Sequence, residues 1–260
     1  MRIFKTLAAL TALFAIAGTA LAQAAPIAGP TLRAAYISTN QAQAVKDAGG
    51  EFRGVSADLA RELGRRLQKP VRIMPLDTAA DVIGAVQKGE ADIGFVAPNP
   101  ARMVLAYSQT YMLVQQSFLV RQDSPALRVK DLDRPGANLG ANTGDSVGVY
   151  LKANFTRAKV VDSPDYSMKE AGQLLLDGRV DAFGGNRQRL GMAARQTAGL
   201  RLLPDNLYGV PQAVAVTSGN AALLGFINHT IDELRDSGFL EAAVQRGGVE
   251  GVSMAPAQQP

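Results

Sequence analysis

The sequence predicts an α/β fold with an open, mostly parallel sheet, organised as two similar halves. Short apolar runs alternate with helical periodicity across short connections, which is the pattern of parallel βα units. The pattern runs twice through the chain, and two segments in matching places resemble each other. They are Gly89-Glu90-Ala91-Asp92-Ile93-Gly94-Phe95 and Gly178-Arg179-Val180-Asp181-Ala182-Phe183-Gly184. With 260 residues, 47% of them apolar, the chain can bury a sizeable core as one or two domains.

In chain order, residues 1–22 read as a targeting segment. Arg2 and Lys5 form a cationic start, Leu7 to Ala17 is an uncharged apolar run, and Ala20-Leu21-Ala22 is a small-x-small cleavage pattern. That run is shorter than the roughly 20 residues a permanent membrane span needs. No Cys stands near the cleavage site to carry a lipid. The mature chain is therefore expected to be free of the membrane, in a bacterial periplasm. Residues 24–30 are small and are expected to be poorly ordered.

The first half then reads as a strand over 32–37 and a helix over 55–67, with Val55, Leu59, Leu63 and Leu67 on one face. A strand over 71–76 follows, then a helix over 79–87 ended by Gly89, and a strand over 93–96. The second half repeats the pattern: strand 138–141, helix 145–153, strand 159–161, helix 167–176 capped by Gly178, strand 180–184. A last helix over 220–235 places Leu223, Ile227, Ile231 and Leu234 on one face. His229 lies off that face and reads as an ordinary exposed histidine, and residues 255–260 read as a disordered tail.

Both matched segments lead to an Asn able to cap a helix, at Asn99-Pro100-Ala101-Arg102 and Asn186-Arg187-Gln188-Arg189. Any α/β chain repeats strand–turn–helix units, so the likeness alone says little. Both helices, however, carry Arg in the first turn, where the helix dipole favours anions. Such an arginine is better placed for an anionic ligand than for helix stability. Two halves whose helix N-termini face inward describe a cleft.

Composition excludes several chemistries. The absence of Cys rules out disulfides, thiolate zinc sites, iron–sulfur clusters and cysteine nucleophiles. One histidine argues against Ser-His-Asp triads and multi-histidine metal sites. The net charge of +4 falls to +2 once Arg2 and Lys5 are removed, and what remains is spread out, Arg65-Arg66 being the one adjacent basic pair. Nucleic-acid binders concentrate such charge on one face, often with stacking aromatics, so no nucleic-acid partner is expected. No cofactor and no metal are expected, and no later apolar stretch approaches the length of a membrane span.

Residues 32–253 resemble the family 3 extracellular solute-binding proteins, periplasmic components of ABC transporters for amino acids and related small polar compounds. The resemblance is carried by Gly54-Val55-Ser56-Ala57-Asp58-Leu59-Ala60-Arg61-Glu62-Leu63 and Lys88-Gly89-Glu90-Ala91-Asp92-Ile93. It continues through Pro100-Ala101-Arg102, Tyr107-Ser108-Gln109-Thr110-Tyr111, Gly178-Arg179-Val180-Asp181-Ala182 and Asp232-Glu233-Leu234-Arg235-Asp236-Ser237-Gly238. It implies the type II periplasmic binding protein fold, two α/β lobes joined by two crossing strands near residues 112–118 and 205–212. Lobe 1 would be residues 26–113 plus 210–254 and lobe 2 residues 114–209. The protein would be a monomer that passes a small-molecule ligand to an ABC permease at the inner membrane.

The resemblance also implies a ligand set: Asn40, Asn99, Arg102, Thr143, Gly144, Asp145, Ser146, Asn186 and Arg187. Arg102 matches the family's carboxylate-binding arginine, whose planar fork suits a bidentate pair. Gly144-Asp145-Ser146 matches the turn at a lobe 2 helix start, where backbone amides and a hydroxyl reach the same carboxylate, and Asn142-Thr143-Gly144 just before it is turn chemistry in its own right. Three positions depart from the pattern. Asn186 stands where an acid usually holds the ligand's ammonium, Asn99 replaces a threonine, and the Asn40 loop lacks the usual stacking aromatic. Either Asp145 replaces the missing acid, or the ligand is a carboxylate or other anion without an ammonium group, held by Arg102 with Arg187 or Arg189. The second alternative is preferred, because Asp145 has a simple role as a helix cap.

Enzymes on the same fold, such as periplasmic lyases and dehydratases, are the main rival. Asp145, Asp92 and Asp181 are the candidate acids, but the last two begin strands after tight turns, where Asp commonly binds backbone amides. No paired carboxylates, phosphate-cradling loop or metal-ligand spacing is present in the sequence, so no catalytic residue is assigned. A sensor would need a second membrane span or a signalling domain, and neither is expected from these 260 residues.

Overall fold

A computed structural model describes residues 27–98, 105–142, 146–163 and 167–257. The expected targeting segment, residues 1–22, lies outside them.

The first half begins with β1 (Leu32–Ile37), the short hairpin β2 (Val45–Lys46) and β3 (Phe52–Arg53), and α1 (Val55–Arg66). Val55, Leu59 and Leu63 are buried along one face of α1, as their spacing predicts. Gly54, which opens α1, has φ 128°, and a Cβ there would sit 2.7 Å from the Gln43 carbonyl oxygen, so only glycine fits. Next come β4 (Val71–Leu76), α2 (Ala79–Gln87) and β5 (Ile93–Val96). Thr78 and Asp81 cap α2 reciprocally, and Gly89 closes it at φ 70°. β6 (Leu105–Tyr107) then leads to the long β7 (Met112–Arg121).

The second half has a 3₁₀ turn (Val129–Leu132), β8 (Asn138–Asn142), α3 (Ser146–Asn154), β9 (Lys159–Ser163) and α4 (Met168–Leu176). It closes with β10 (Ala182–Asn186), α5 (Arg187–Gln196) and β11 (Leu200–Leu202). The chain returns along β12 (Tyr208–Thr217) to α6 (Ala221–Asp236), α7 (Phe239–Gly247) and β13 (Val252–Met254).

One strand starts later than its sequence suggests. Val180 and Asp181 belong to the turn before β10, because the Asp181 carboxylate accepts from the Asn138 N–H at 2.8 Å. Asp92 does the same in the first half, accepting from the Arg33 N–H at 2.8 Å. The two similar segments are thus one device used twice: a turn aspartate that fastens each new strand to an earlier one.

The order β4-β1-β5-β12-β7-β10-β8-β9 runs through both halves. Pairing is parallel among β4, β1 and β5 and among β10, β8 and β9. The two parallel groups are joined by antiparallel β12 and β7, in which Met112–Gln116 oppose Gln212–Tyr208. Both groups are covered on both faces, as parallel sheets require. In the first lobe α1, α6 and α7 pack around Leu59, Leu63, Ile227 and Ile231, while Val82 and Val86 of α2 fill the opposite face. In the second lobe α3 buries Val147 and Leu151 on one side, and α4 and α5 bury Leu175 and Leu190 on the other.

The termini differ from expectation. Ile27 is 3% exposed and packs into the first core, so order begins within the small-residue leader. At the other end β13 pairs with Met112–Val114 of β7, adding a third strand to the expected pair of crossings. Ala255 is buried beyond it, its carbonyl accepting from Arg235 Nε at 3.2 Å. His229 is exposed, 3.3 Å from Glu233.

Candidate ligand-binding site

A cavity of about 640 Å³ lies where the two lobes meet at the crossing strands. The first lobe contributes Ile37 and Asn40 from the end of β1, Ala97 and Pro98 after β5, and Ala79 at the start of α2. β7 and β12 form the floor with Val114, Gln116, Tyr208, Val210, Pro211 and Gln212. Ser146 at the start of α3 and Asn186 at the end of β10 close it from the second lobe. Parallel strands deliver their carboxyl ends, and the following helix N-termini, to one edge, which is where an open α/β sheet binds ligands.

Local hydrogen bonds hold these groups. Asn40 Oδ1 accepts from the Ala42 N–H at 3.2 Å, and Asn186 Oδ1 accepts from the Arg189 N–H at 3.2 Å as the N-cap of α5. Buried Gln43 ties the first lobe to the hinge, accepting from the Ile37 N–H at 3.0 Å and donating to Phe95 O and Gln212 Oε1, each at 3.0 Å. Gln116 donates from Nε2 to the Val114 carbonyl at 3.1 Å. The Tyr208 hydroxyl donates to Ser146 Oγ at 3.0 Å, and its ring stacks on Tyr150 at 4.3 Å, fixing α3 against β12. Beneath the site, buried Tyr111 pairs with Ser56 Oγ at 2.6 Å, and burial pushes its phenol pKa up.

The structure brings Asn40, Ser146 and Asn186 together around this cavity. Asn99, Arg102, Thr143, Gly144 and Asp145 lie outside the described residues. Arg187 is not brought to the cavity. Its Nη1 donates to the carbonyls of Leu203 at 3.0 Å and Asp205 at 3.1 Å, and its Nε lies 3.4 Å from Glu250. A first-turn arginine here serves the backbone leading into β12, and these acceptors offset the opposed helix dipole. Sequence reasoning missed Gln116, Gln212 and Tyr208. Their signal was polar side chains inside the strands expected to cross between the lobes.

Among the described residues that line the cavity, none carries a charge at neutral pH; the wall is amide, hydroxyl and apolar. No group of three or more His, Cys, Asp or Glu suited to a metal ion occurs among the described residues. No helix among them is long and apolar enough to cross a membrane. A separate open hollow of about 470 Å³ lies against β4 and α2, and its Asp81 carboxylate is already used as the cap of α2.

The profile of the bacterial extracellular solute-binding proteins, family 3, matches residues 32–246. Over 135 residues, 51% of the chain, the sequence is 31% identical to the virulence sensor protein BvgS of Bordetella bronchiseptica, covering 11% of that protein. The chain thus spans about a tenth of the length of that relative. Over 195 residues it is 23% identical to the ABC transporter glutamine-binding protein GlnH of Bacillus subtilis, covering 73% of this chain and 70% of that one. Among solved structures, the periplasmic VFT2 domain of Bordetella pertussis BvgS has the same fold. Its TM-score is 0.66 at 24% identity, covering 84% of this chain and 93% of that domain.

Proposed function

Because the chain belongs to the bacterial extracellular solute-binding proteins, family 3, we propose that it captures a small polar, carboxylate-bearing solute in the interlobe cavity and delivers it to an ABC permease at the inner membrane. Export by the segment 1–22 would bring it to the periplasm. The observation that carries this reading is the cavity itself, lined from both lobes and floored by the strands that join them. A ligand touching both lobes favours the closed arrangement by its differential affinity for it, and rotation about β7 and β12 supplies the motion. Enclosure then strengthens every charged hydrogen bond to the ligand.

In this proposal Arg102 binds the carboxylate, with the turn Thr143-Gly144-Asp145-Ser146 assisting from the second lobe and Asn40, Asn99 and Asn186 completing the shell. Titration calorimetry against a panel of amino and organic acids tests it. Arg102→Ala is expected to weaken binding by at least ~100-fold, about 2.7 kcal/mol, with little change in Tm. Affinity within about threefold of wild type, below 1 kcal/mol, would contradict the assignment.

Two other readings have their own support. The likeness to part of BvgS favours solute sensing, with the same cavity reporting to a signalling partner instead of a permease. Loss of solute uptake in a deletion strain separates transport from sensing. A lyase or dehydratase would need a positioned acid or base, for which Asp145 is the candidate. Product formation abolished by Asp145→Asn would support that enzyme.

A further inference from the structure

We infer that Gln116 sets the ligand class, and that the cavity takes an organic acid whose second polar group is an uncharged donor, such as a hydroxyl or an amide N–H, in preference to an ammonium. This rests on the reading of the interlobe cavity as the solute site. Four carboxamides line that cavity: Gln212 is tied at both ends, to Gln43 Nε2 and to the Pro211 carbonyl, and each of the other three has one end tied to backbone. Asn40 and Asn186 both use Oδ1 to accept from backbone N–H groups, so each leaves its Nδ2 hydrogens for a ligand. Gln116 uses Nε2 to donate to the Val114 carbonyl, so it leaves Oε1. None of the three can flip without setting donor against donor or oxygen against oxygen, so the polarity of the wall is fixed.

The two asparagine donors come from opposite lobes and suit one acceptor-rich group, the carboxylate. Gln116 lies on the hinge strand, where its neighbours across the ladder are Asn186 and Tyr208. It is only 6% exposed, yet it faces the cavity, and its Oε1 accepts from no described group. Closure of the lobes over a ligand would take water from this acceptor, and an acceptor enclosed without a donor is costly, so this atom calls for a donor from the ligand. An amide oxygen satisfies a hydroxyl or an amide N–H fully. It does not offset the desolvation of an ammonium, which needs a formal negative charge, and no Asp or Glu stands among the described lining residues.

Calorimetry with matched acids that differ only in the second group tests this: glycerate against serine, malate against aspartate, lactate against alanine. The wild type is expected to bind at least one hydroxy acid about tenfold or more tighter than its amino partner. Gln116→Glu is expected to reverse that preference. Gln116→Leu should weaken the hydroxy acid by about tenfold, the loss of one hydrogen bond, with its Tm monitored as a check on folding. Tighter binding of the amino partners by the wild type would overturn the inference while leaving solute capture intact. So would an unreversed preference in a folded Gln116→Glu. Native mass spectrometry of the purified protein extends the same scoring to any retained compound: an ammonium-bearing one counts against the inference and a neutral-donor acid supports it. If no acid binds and nothing is retained, the solute-site reading falls as well.

Discussion

Arg187 and Asn186 are neighbours that point to different tasks, and a single peptide unit separates a cavity residue from a structural one. The Asn186 side chain caps α5 beside the cavity, while the Arg187 guanidinium gathers the carbonyls that precede β12. Its aliphatic stem packs so closely on Gly251 that a Cβ there would lie 2.8 Å from Arg187 Cβ. Arg187→Ala is therefore expected to lower stability by about 1–3 kcal/mol, since it removes the donor to the carbonyl of buried Leu203. Ligand affinity should stay within about threefold. Urea denaturation and calorimetry on the same preparation check both halves, and a selective loss of affinity would restore Arg187 to the ligand set. The residue scale is where sequence was least legible. Arg187 and Arg102 both follow closely on the Asn that follows each similar segment, and only the partners of Arg187 in the fold show what its guanidinium holds.

At the scale of elements, most of the fold could be read in advance because its signals are local. Thr78 with Asp81 and Ser167 with Glu170 form the capping boxes of α2 and α4, and Gly89 and Gly178 end those helices with left-handed backbone. α1 adds a charge cluster on its outer side, where Glu62 bonds Arg65 at 2.7 Å and Arg66 at 2.8 Å, and Arg66 reaches Glu233 of α6. The two arginines hold the Glu62 carboxyl down to about 2, Arg65 making the larger contribution. A carboxylate with a depressed folded pKa stabilises fully above its unfolded value, near 4.3, and loses that contribution as pH falls toward 2. Denaturation curves between pH 6 and pH 2.5 are expected to show this loss in the wild type, and Glu62→Gln should flatten it. An identical acid slope in the variant would contradict the assignment. What sequence did not disclose at this scale was β13. Three residues, Val252-Ser253-Met254, carry no periodicity, and their place beside Met112–Val114 depends on α6 and α7 returning the chain to the hinge.

For the whole molecule, the candidate site was legible in its rims and not in its floor. Asn40, Ser146 and Asn186 sit at strand ends or helix starts that sequence pattern locates one by one. Gln116, Tyr208 and Gln212 become one surface only through the antiparallel register of β7 with β12, which joins residues about a hundred positions apart. The same two strands are the path about which the lobes would move, with Gln188 of α5 touching Gln41 across the cleft at 2.5 Å. The chain has no cysteine, so introduced pairs label without competition. Ala80 on α2 and Val149 on α3, the latter 66% exposed, stand on helices of opposite lobes that each bring their first residue to the cavity. Spin labels at Ala80→Cys and Val149→Cys report the distance between the lobes by pulsed dipolar spectroscopy, with and without the acid that calorimetry finds to bind. The account predicts that saturating ligand shortens and narrows the distance distribution, and that adding Arg102→Ala abolishes the change. An unaltered distribution, under conditions where binding is measured, would contradict capture by closure of the two lobes.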